Sequence, residues 1–357
     1  MRSHIDKAIA DAGGWLPFDQ FMALALYTPG LGYYANERAK FGHMPSSGSD
    51  FVTAPELSPA FGRLVAVQVA EALERTGTHE VWEFGAGTGA LALQVLQALQ
   101  AQGALPERYT IVDLSGTLRA RQQETLAAFA DVVHWADALP EAMHGVVLGN
   151  EVLDAMPVKL LQRTQGRWHE RGVVVEGSQL AWQDRLTDLR PPMEVEGEHD
   201  YLTEIHQQGE AFIHTLGERM QRGAVLLIDY GFGESEYYHP QRHMGTLVCH
   251  YLHQVDSDPL DKVGLKDITA HVNFTGTAVA AQDAGFDVLG YTTQAHFLIN
   301  CGLQRELDAL PLPERVPAMK LMLEHEMGEF FKVIALSKGV APWDAIGFVQ
   351  GDRTHRL

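Results

Sequence analysis

The sequence predicts an α/β fold built around a parallel sheet, and three observations support this fold class. Several short runs, such as residues 146–149 and 224–229, are almost continuously apolar, which is typical of strands buried on both faces. Segments with helical periodicity, such as residues 91–102, separate these runs. With 357 residues, 46% of them hydrophobic and 20% charged, the chain can fill one large domain or two ordinary ones.

Residues 1–79 are expected to form a layer of helix and loop in front of this sheet. Residues 15–30 show a short helical pattern that ends at a Thr-Pro-Gly turn. Residues 33–53 are rich in aromatic residues, Gly and Ser, which predicts a long irregular loop, and we expect this loop to close over a ligand. Ser58 then caps a helix that is predicted to run to Thr76.

Strands and helices alternate from residue 80 onwards. Strands are predicted at 81–84, 109–113, 132–135, 146–149, 224–229, 286–289 and 331–336, and helices at 91–102 and 118–128. Because helices connect the apolar strands, the sheet should be covered on both faces. The pattern divides the core into a first half, 80–159, and a second half, 220–357.

A lobe is predicted over residues 160–219, between the fourth and fifth strands. Its alternating runs, 166–170 and 173–176, predict a hairpin, and a helix over 201–221 is predicted to return the chain to the sheet. Insertions that leave from the carboxyl ends of strands lie where open α/β sheets bind ligands. We therefore expect this lobe on the substrate side.

The composition excludes several classes of protein. Lys and Arg number 27 and Asp and Glu 46, so the formal charge is 27 − 46 = −19, which argues against nucleic-acid binding and favours a cationic partner. Cys249 and Cys301 are too few for a disulfide scaffold. No apolar run is long enough for membrane insertion, and the N-terminus lacks a secretory pattern. The expected location is the cytoplasm.

The strongest chemical signal is a glycine-rich loop at the junction of the first strand and the next helix. It contains Gly85, Ala86, Gly87 and Gly89, and its backbone can approach a ligand closely. The spacing suits S-adenosyl-L-methionine or a dinucleotide, and a purely structural turn is the third interpretation. Glu83 favours S-adenosyl-L-methionine, because its carboxylate can accept from the ammonium group, whereas a carboxylate helps a negatively charged pyrophosphate less.

Other polar residues stand where they could complete a cofactor pocket. Asp113 ends the second strand, where a carboxylate can bind ribose hydroxyls in either cofactor class. Asp137 follows the third strand and could meet the adenine edge or serve as a helix N-cap. Asn150 follows the fourth strand and should place its amide near the cofactor. The loop over 33–53 should add Asp50 and Thr53.

Two carboxylates form the candidate catalytic pair. Glu151 and Asp154 lie three residues apart after the fourth strand and would share a face on a short helical turn. Carboxylates can orient a guanidinium and stabilise the positive charge that its nitrogen gains during methyl transfer. An ordinary capped turn is the alternative interpretation.

Several motifs resemble those of the MidA-like family of S-adenosyl-L-methionine-dependent methyltransferases. They lie, in order, at 27–34, 49–58, 83–90, 150–157, 228–231, 245–247, 267–272 and 327–332. The family includes a mitochondrial protein-arginine methyltransferase that assists respiratory complex I assembly. The resemblance implies a Rossmann-like, seven-stranded class I methyltransferase core with an antiparallel seventh strand. It also implies a protein acceptor methylated on arginine, with a respiratory-complex subunit as one candidate.

Two departures and two alternatives accompany the resemblance. The glycine loop lacks the family's usual Gly-Pro-Gly-Arg-Gly-Thr sequence, and Asn273 stands where the family usually has Asp. Because cofactor contacts in such a loop are mainly made by the backbone, binding should survive. A non-catalytic assembly factor that keeps the cofactor fold is the alternative function, and a dinucleotide-dependent oxidoreductase is the third.

Histidines are numerous in the second long connection. His239 and His243 have the spacing of zinc ligands on a helix, but Pro240 lies between them, so no metal site is expected. His253 and His271 match the family. They are interpreted as acceptor-pocket or structural residues, with His271 as the catalytic candidate.

Overall fold

The computed structural model describes residues 1–36, 53–113 and 116–357, with only the backbone of Gly116 and Thr117. Its helices are α1 Arg2–Asp11, α2 Phe18–Tyr27, α3 Ala54–Leu57, α4 Ala60–Thr76, α5 Ala90–Ala101, α6 Gly116–Thr125, α7 Gln207–Arg219, α8 Glu234–Tyr237, α9 Phe274–Asp283, α10 Gln294–Asn300, α11 Leu303–Ala309 and α12 Leu312–Lys320. In the part of the chain described, no helix combines the length and the apolar character that crossing a membrane requires.

The strands match the predicted core and add others outside it. They are β1 Leu16–Pro17, β2 Glu80–Phe84, β3 Arg108–Val112, β4 Val133–Ala136, β5 Met143–Asn150, β6 Lys159–Thr164, β7 Arg167–Glu176, β8 Gln179–Leu186, β9 Tyr201–Ile205, β10 Met220–Phe232, β11 Val248–Tyr251, β12 Gln254–Asp256, β13 Asp267–Thr269, β14 Val272–Asn273, β15 Asp287–Thr293 and β16 Phe331–Lys338. All seven core strands predicted from the sequence are present.

The main sheet confirms the predicted fold class. Its main path runs in the order β15-β16-β10-β5-β2-β3-β4. Neighbours from β10 to β4 are parallel, whereas β16 is antiparallel to both β10 and β15. The last strand in the sequence, β16, therefore lies between β15 and β10. It is the antiparallel strand expected for this class, and it is inside the sheet and not at its edge.

The core of the main sheet packs against α4 and α5. Val146 and Leu148 of β5 are buried in one apolar cluster with Val65 of α4 and Leu99 of α5. The two helices approach closely at Gly62, where a Cβ atom would lie 2.3 Å from the Cβ of Gln94. The prediction that Ser58 caps this helix is wrong by one residue, because Pro59 is the N-cap of α4 and Ser58 precedes it, accepting from the N–H of Ala60 at 3.3 Å.

The described residues cluster into two compact units. The first unit contains residues 1–36, 153–212 and 232–277. The second contains the described part of 53–152 together with 213–231 and 278–357, and it holds the main sheet. In the first unit, β7 pairs with β1, β6 and β8, β6 pairs with β9, and β11 lies between β12 and β13. The four segments expected from the sequence remain a prediction.

Two predictions in the inserted segment are wrong. Residues 166–170 and 173–176 do not pair as a hairpin, because both belong to the single strand β7. Gly172 lies in the middle of that strand, and a Cβ there would be 2.4 Å from the Trp15 ring, so this glycine serves a close approach and not a turn. The helix predicted over 201–221 begins only at Gln207, because Tyr201–Ile205 pairs with β6 as a strand.

Candidate active site

The glycine-rich loop joins β2 to α5 in the second unit. Gly85, Gly87 and Gly89 have φ angles of 64°, 53° and 85°, a region that side chains disfavour. The N–H of Gly89 donates to the carbonyl of Ala86 at 2.8 Å, which closes the loop as a tight turn. Gly89 is also the N-cap residue of α5, so the loop ends at a helix N-terminus. This backbone can approach a bound molecule without interference from side chains.

Glu83 is buried near the end of β2. Its Oε2 accepts from the Tyr109 hydroxyl at 2.7 Å, and only 1% of the residue is exposed. Burial raises the pKa of Glu83 to about 7; the Tyr109 hydrogen bond opposes this rise and the charge of Asp113 adds to it. The carboxyl group can therefore change its charge near neutral pH.

Gln122 of α6 bonds to residues at the carboxyl ends of three neighbouring strands, β2, β3 and β4. It was not identified from the sequence. Its Nε2 donates to the Gly87 carbonyl at 3.0 Å and to Asp113 Oδ2 at 2.9 Å, while its Oε1 accepts from Trp135 Nε1 at 2.9 Å. The residue is fully buried. A signal was present, because Gln122 interrupts an apolar stripe at four-residue spacing between Leu118 and Leu126.

Asp137 follows β4, and its carboxylate pairs with the Arg119 guanidinium. Arg119 also reaches the Asp113 carbonyl at 3.4 Å. The chain continues from Asp137 to β5 without a helix, so the alternative interpretation of Asp137 as a helix N-cap is wrong. The adenine contact proposed for Asp137 stays a prediction.

Among the residues before β2, the structure describes one predicted cofactor-site residue, Thr53. It also shows one hydrogen bond to the glycine loop that the sequence did not predict. Thr53 is the N-cap residue of α3, although its side chain makes no capping hydrogen bond. Thr88 of the glycine loop donates to Glu56 Oε1 of α3 at 2.5 Å. Asp50, and most of the 33–53 loop, lie outside the described residues.

Asn150 ends β5, and Glu151 follows it. Asn150 Nδ2 donates to Glu151 Oε1 at 3.0 Å. Its Oδ1 is buried and has no hydrogen-bond partner among the residues that the structure describes. A buried amide oxygen without a partner is costly, so this atom is suited to accept from a bound donor.

The helical turn predicted for Glu151 and Asp154 is wrong. Glu151 has a φ angle of 55°, which a helix does not permit, and its N–H donates to the Ile228 carbonyl at 2.9 Å. The next N–H, of Val152, donates to Asp229 Oδ2 at 3.1 Å. Strand β10 therefore sets this loop conformation, and a positive φ in a non-glycine residue is typical of functional sites.

Asp154 belongs to a polar cluster of the first unit. Tyr27 donates to the Ala155 carbonyl at 2.8 Å, and Tyr34 donates to Asp267 Oδ1 at 2.8 Å. Asp154 and Asp267 are buried, whereas Tyr34 is half-buried and the side chain of Tyr27 is 43% exposed. Burial, followed by the charges of Asp267 and Asp154, raises the pKa of both tyrosines. The cluster combines two buried carboxylates with two neutral phenols.

His271 is held within the same unit. Its Nδ1 lies 3.3 Å from the Thr246 carbonyl, and its ring stacks on Phe232 with 5.4 Å between ring centres. His206 has its pKa lowered to about 4 by burial and then by the charge of His271. His253, by contrast, lies in the exposed turn between β11 and β12 with a φ angle of 60°.

Comparisons with known proteins agree with these features. Residues 64–292 match the family described as "Putative S-adenosyl-L-methionine-dependent methyltransferase". The mitochondrial protein arginine methyltransferase NDUFAF7 of Danio rerio is 26% identical, with 91% of this chain and 84% of that protein covered. The Drosophila melanogaster homologue is 29% identical, with 92% and 82% covered.

Two solved structures are more similar. A crystal structure from Burkholderia thailandensis, bound to S-adenosyl-homocysteine, is 47% identical with a TM-score of 0.96 and covers 99% of this chain and 96% of that one. A native crystal structure from the same organism is 46% identical with a TM-score of 0.91 over the same shares. The glycine loop, Asn150, Glu151, Asp154 and His271 all lie within residues 64–292, whereas Thr53 does not.

Proposed function

Since the chain belongs to a family of S-adenosyl-L-methionine-dependent methyltransferases, we propose that it methylates a nitrogen of an arginine side chain in a protein. The observation that carries the choice of arginine is a cluster in which the buried carboxylates of Asp154 and Asp267 lie with the exposed Tyr27 and the half-buried Tyr34. A guanidinium is planar, always charged and rich in donors, so it matches carboxylate and phenol oxygens. Relatives from Danio rerio and Drosophila melanogaster bear the name protein arginine methyltransferase.

The residues of the second unit fit S-adenosyl-L-methionine. The left-handed backbone at Gly85, Gly87 and Gly89 leaves room for the cofactor, and Ala86 offers its backbone beside them. The buried Oδ1 of Asn150 is suited to accept from the ammonium group. The bound cofactor would supply an electrophilic methyl group on a positively charged sulfur.

Further residues of this unit are proposed to hold other parts of the cofactor. Glu83 would complement the ammonium when ionised, and Asp113 would bind the ribose hydroxyls. Asp137 would contact the adenine edge, and Asp50 and Thr53 would complete the pocket.

The acidic residues are proposed to act on the acceptor. Asp154 and Glu151 would orient the guanidinium by charge-assisted hydrogen bonds and stabilise the positive charge that develops on its nitrogen. His271, whose Nδ1 faces the Thr246 carbonyl, would present its other ring nitrogen to the acceptor side. The electrostatic effect requires groups that are held in place beforehand, and the burial of Asp154 meets that requirement.

The partner and location are narrower parts of the proposal. The acceptor would be a protein, and the MidA-like resemblance makes a respiratory-complex subunit the first candidate. We propose the cytoplasm as the location. Cys249 and Cys301 are free and buried, which is compatible with a reducing compartment. The NDUFAF7 relatives bear mitochondrial names, so fractionation of the native host is the appropriate measurement.

The decisive experiment identifies the methylated atom. The purified protein is incubated with methyl-labelled cofactor and an extract of its own host, and labelled proteins are hydrolysed to amino acids. Label in methylarginine is expected, and it should fall on the order of 100-fold when Asp154→Asn replaces the native protein. Label in another amino acid would contradict the choice of acceptor. Cofactor binding with no transfer to any protein would favour the non-catalytic assembly role.

A further inference from the structure

We infer that Gln122 is a positioning residue of the cofactor site, which holds the glycine loop and the ribose-binding carboxylate at a set separation. The amide of Gln122 bonds to Gly87, Asp113 and Trp135 at once. Gly87 follows β2, Asp113 follows β3 and Trp135 lies near the end of β4, and these are three adjacent strands of the main sheet. The inference rests on the proposed role of Asp113 in binding ribose.

The three partners allow only one orientation of the amide. The indole N–H of Trp135 can only donate, so it requires the amide oxygen. The Gly87 carbonyl and the Asp113 carboxylate can only accept, so each takes one hydrogen of the amide nitrogen. A rotation of the amide by 180° would lose all three bonds. The Gln122 amide therefore has one orientation. In that orientation it holds Gly87 and Asp113, the two proposed cofactor-binding groups, in fixed positions.

The packing around Gln122 supports the same role. A Cβ atom added at Gly89 would lie 3.5 Å from the Gln122 Cα, so α6 packs directly on the loop. Leu126, one helical turn further along, is buried in the core beneath. These contacts anchor the helix backbone, so we expect a change at Gln122 to alter the amide contacts without displacing the helix.

A carboxylate at this position would reverse the interaction. In Gln122→Glu, the shape and the bond from Trp135 are retained, but an ionised carboxylate faces the Gly87 carbonyl and the Asp113 carboxylate. We expect affinity for S-adenosyl-homocysteine to fall at least tenfold, roughly the effect of one buried hydrogen bond or more. Relative to the native protein at each pH, affinity should recover as the pH falls, because a protonated carboxyl can donate again. A purely structural role would not give this recovery.

The test is a set of calorimetric titrations with S-adenosyl-homocysteine, accompanied by thermal unfolding. Gln122→Leu, Asp113→Ala and the double variant form a cycle, in which the loss in the double variant should be smaller than the product of the two single losses. Gln68→Leu is the matched control. That buried glutamine also makes two hydrogen bonds, to Glu71 and Gly347, so the variant should lose stability but keep its cofactor affinity.

The outcomes separate the inference from the proposal beneath it. If Asp113→Ala binds normally, the ribose role fails and the inference fails with it. If Asp113→Ala is weakened while Gln122→Leu and Gln122→Glu bind normally, only the inference is overturned. Should Gln122→Leu fail to fold, Trp135→Phe removes the bond that orients the amide and keeps an aromatic ring at that position. It should still weaken binding, and normal affinity in that variant would count against the inference.

Discussion

At the scale of single residues, Gly87 should be the position in the glycine loop most sensitive to substitution, because its backbone is left-handed. Gly87→Val places a β-branched side chain at a φ angle of 53°, beside the expected cofactor. We expect binding of S-adenosyl-homocysteine to be lost while the fold is retained, as measured by calorimetry and circular dichroism.

The control for this variant is Gly103→Val. Gly103 has a φ angle of 70°, and its Cβ would meet nothing within 4 Å, so this substitution imposes similar backbone strain after the end of α5. Its cofactor affinity should be unchanged. Normal binding by Gly87→Val would exclude the loop from the cofactor site.

Glu83 predicts a pH-dependent change in stability. Its pKa rises from an ordinary 4.5 to about 7 in the folded protein, so its contribution to stability is complete below pH 4.5 and is lost as the pH rises through 7. Glu83→Gln retains an acceptor for Tyr109 without the charge. The variant should therefore gain stability over the native protein at pH 8, by up to roughly 3 kcal/mol, and gain little at pH 5.

Urea unfolding without cofactor, at both pH values, measures this difference. Glu107→Gln is the control, because Glu107 is exposed and should show no gain at either pH. Equal gains in stability for Glu83→Gln at pH 5 and pH 8 would show that burial does not raise the pKa of Glu83.

At the scale of elements, the loop after β5 concentrates the predicted catalytic charge. Asp154→Asn and Glu151→Gln keep the side-chain shape and remove one charge each. Methyl transfer should fall on the order of 100-fold in each variant, while affinity for S-adenosyl-homocysteine remains. Single-turnover transfer of labelled methyl to the identified acceptor is the measurement.

Asp131→Asn, at an exposed position, is the matched control for charge and should transfer methyl at the native rate. Native rates in both Glu151→Gln and Asp154→Asn would eliminate the carboxylate mechanism. A loss of cofactor affinity in either variant would instead assign that residue to the cofactor site.

At the scale of the whole molecule, the net charge of −19 predicts electrostatic attraction of a cationic acceptor. The KM for an arginine-rich acceptor peptide should rise between 50 and 300 mM salt by about tenfold, because salt screens this attraction. Affinity for S-adenosyl-homocysteine, which has no net charge, should change little and serves as the internal control. A salt-independent KM would show that the net negative charge of the protein does not contribute to binding of the acceptor.

Much of the second unit could be predicted from local sequence patterns. Apolar runs identified the core strands, and the glycine spacing with Glu83 correctly favoured S-adenosyl-L-methionine over a dinucleotide. These signals are local, because a strand buried on both faces is apolar throughout and a tight turn requires glycine. The wrong predictions concern segments whose sequence pattern fits two different structures. Tyr201–Ile205 was predicted as the start of a helix, but it pairs with β6 as a strand.

By itself, the sequence determined the α/β class, the cofactor class and the acidic character of the protein. Only the tertiary structure decided which distant residues meet. Tyr34 bonds to Asp267 across 233 positions, and the left-handed conformation of Glu151 depends on the carbonyl of Ile228 in another strand. The physical reason is that periodicity records whether a side chain is buried, whereas hydrogen-bond partners depend on which strands become neighbours when the sheet forms.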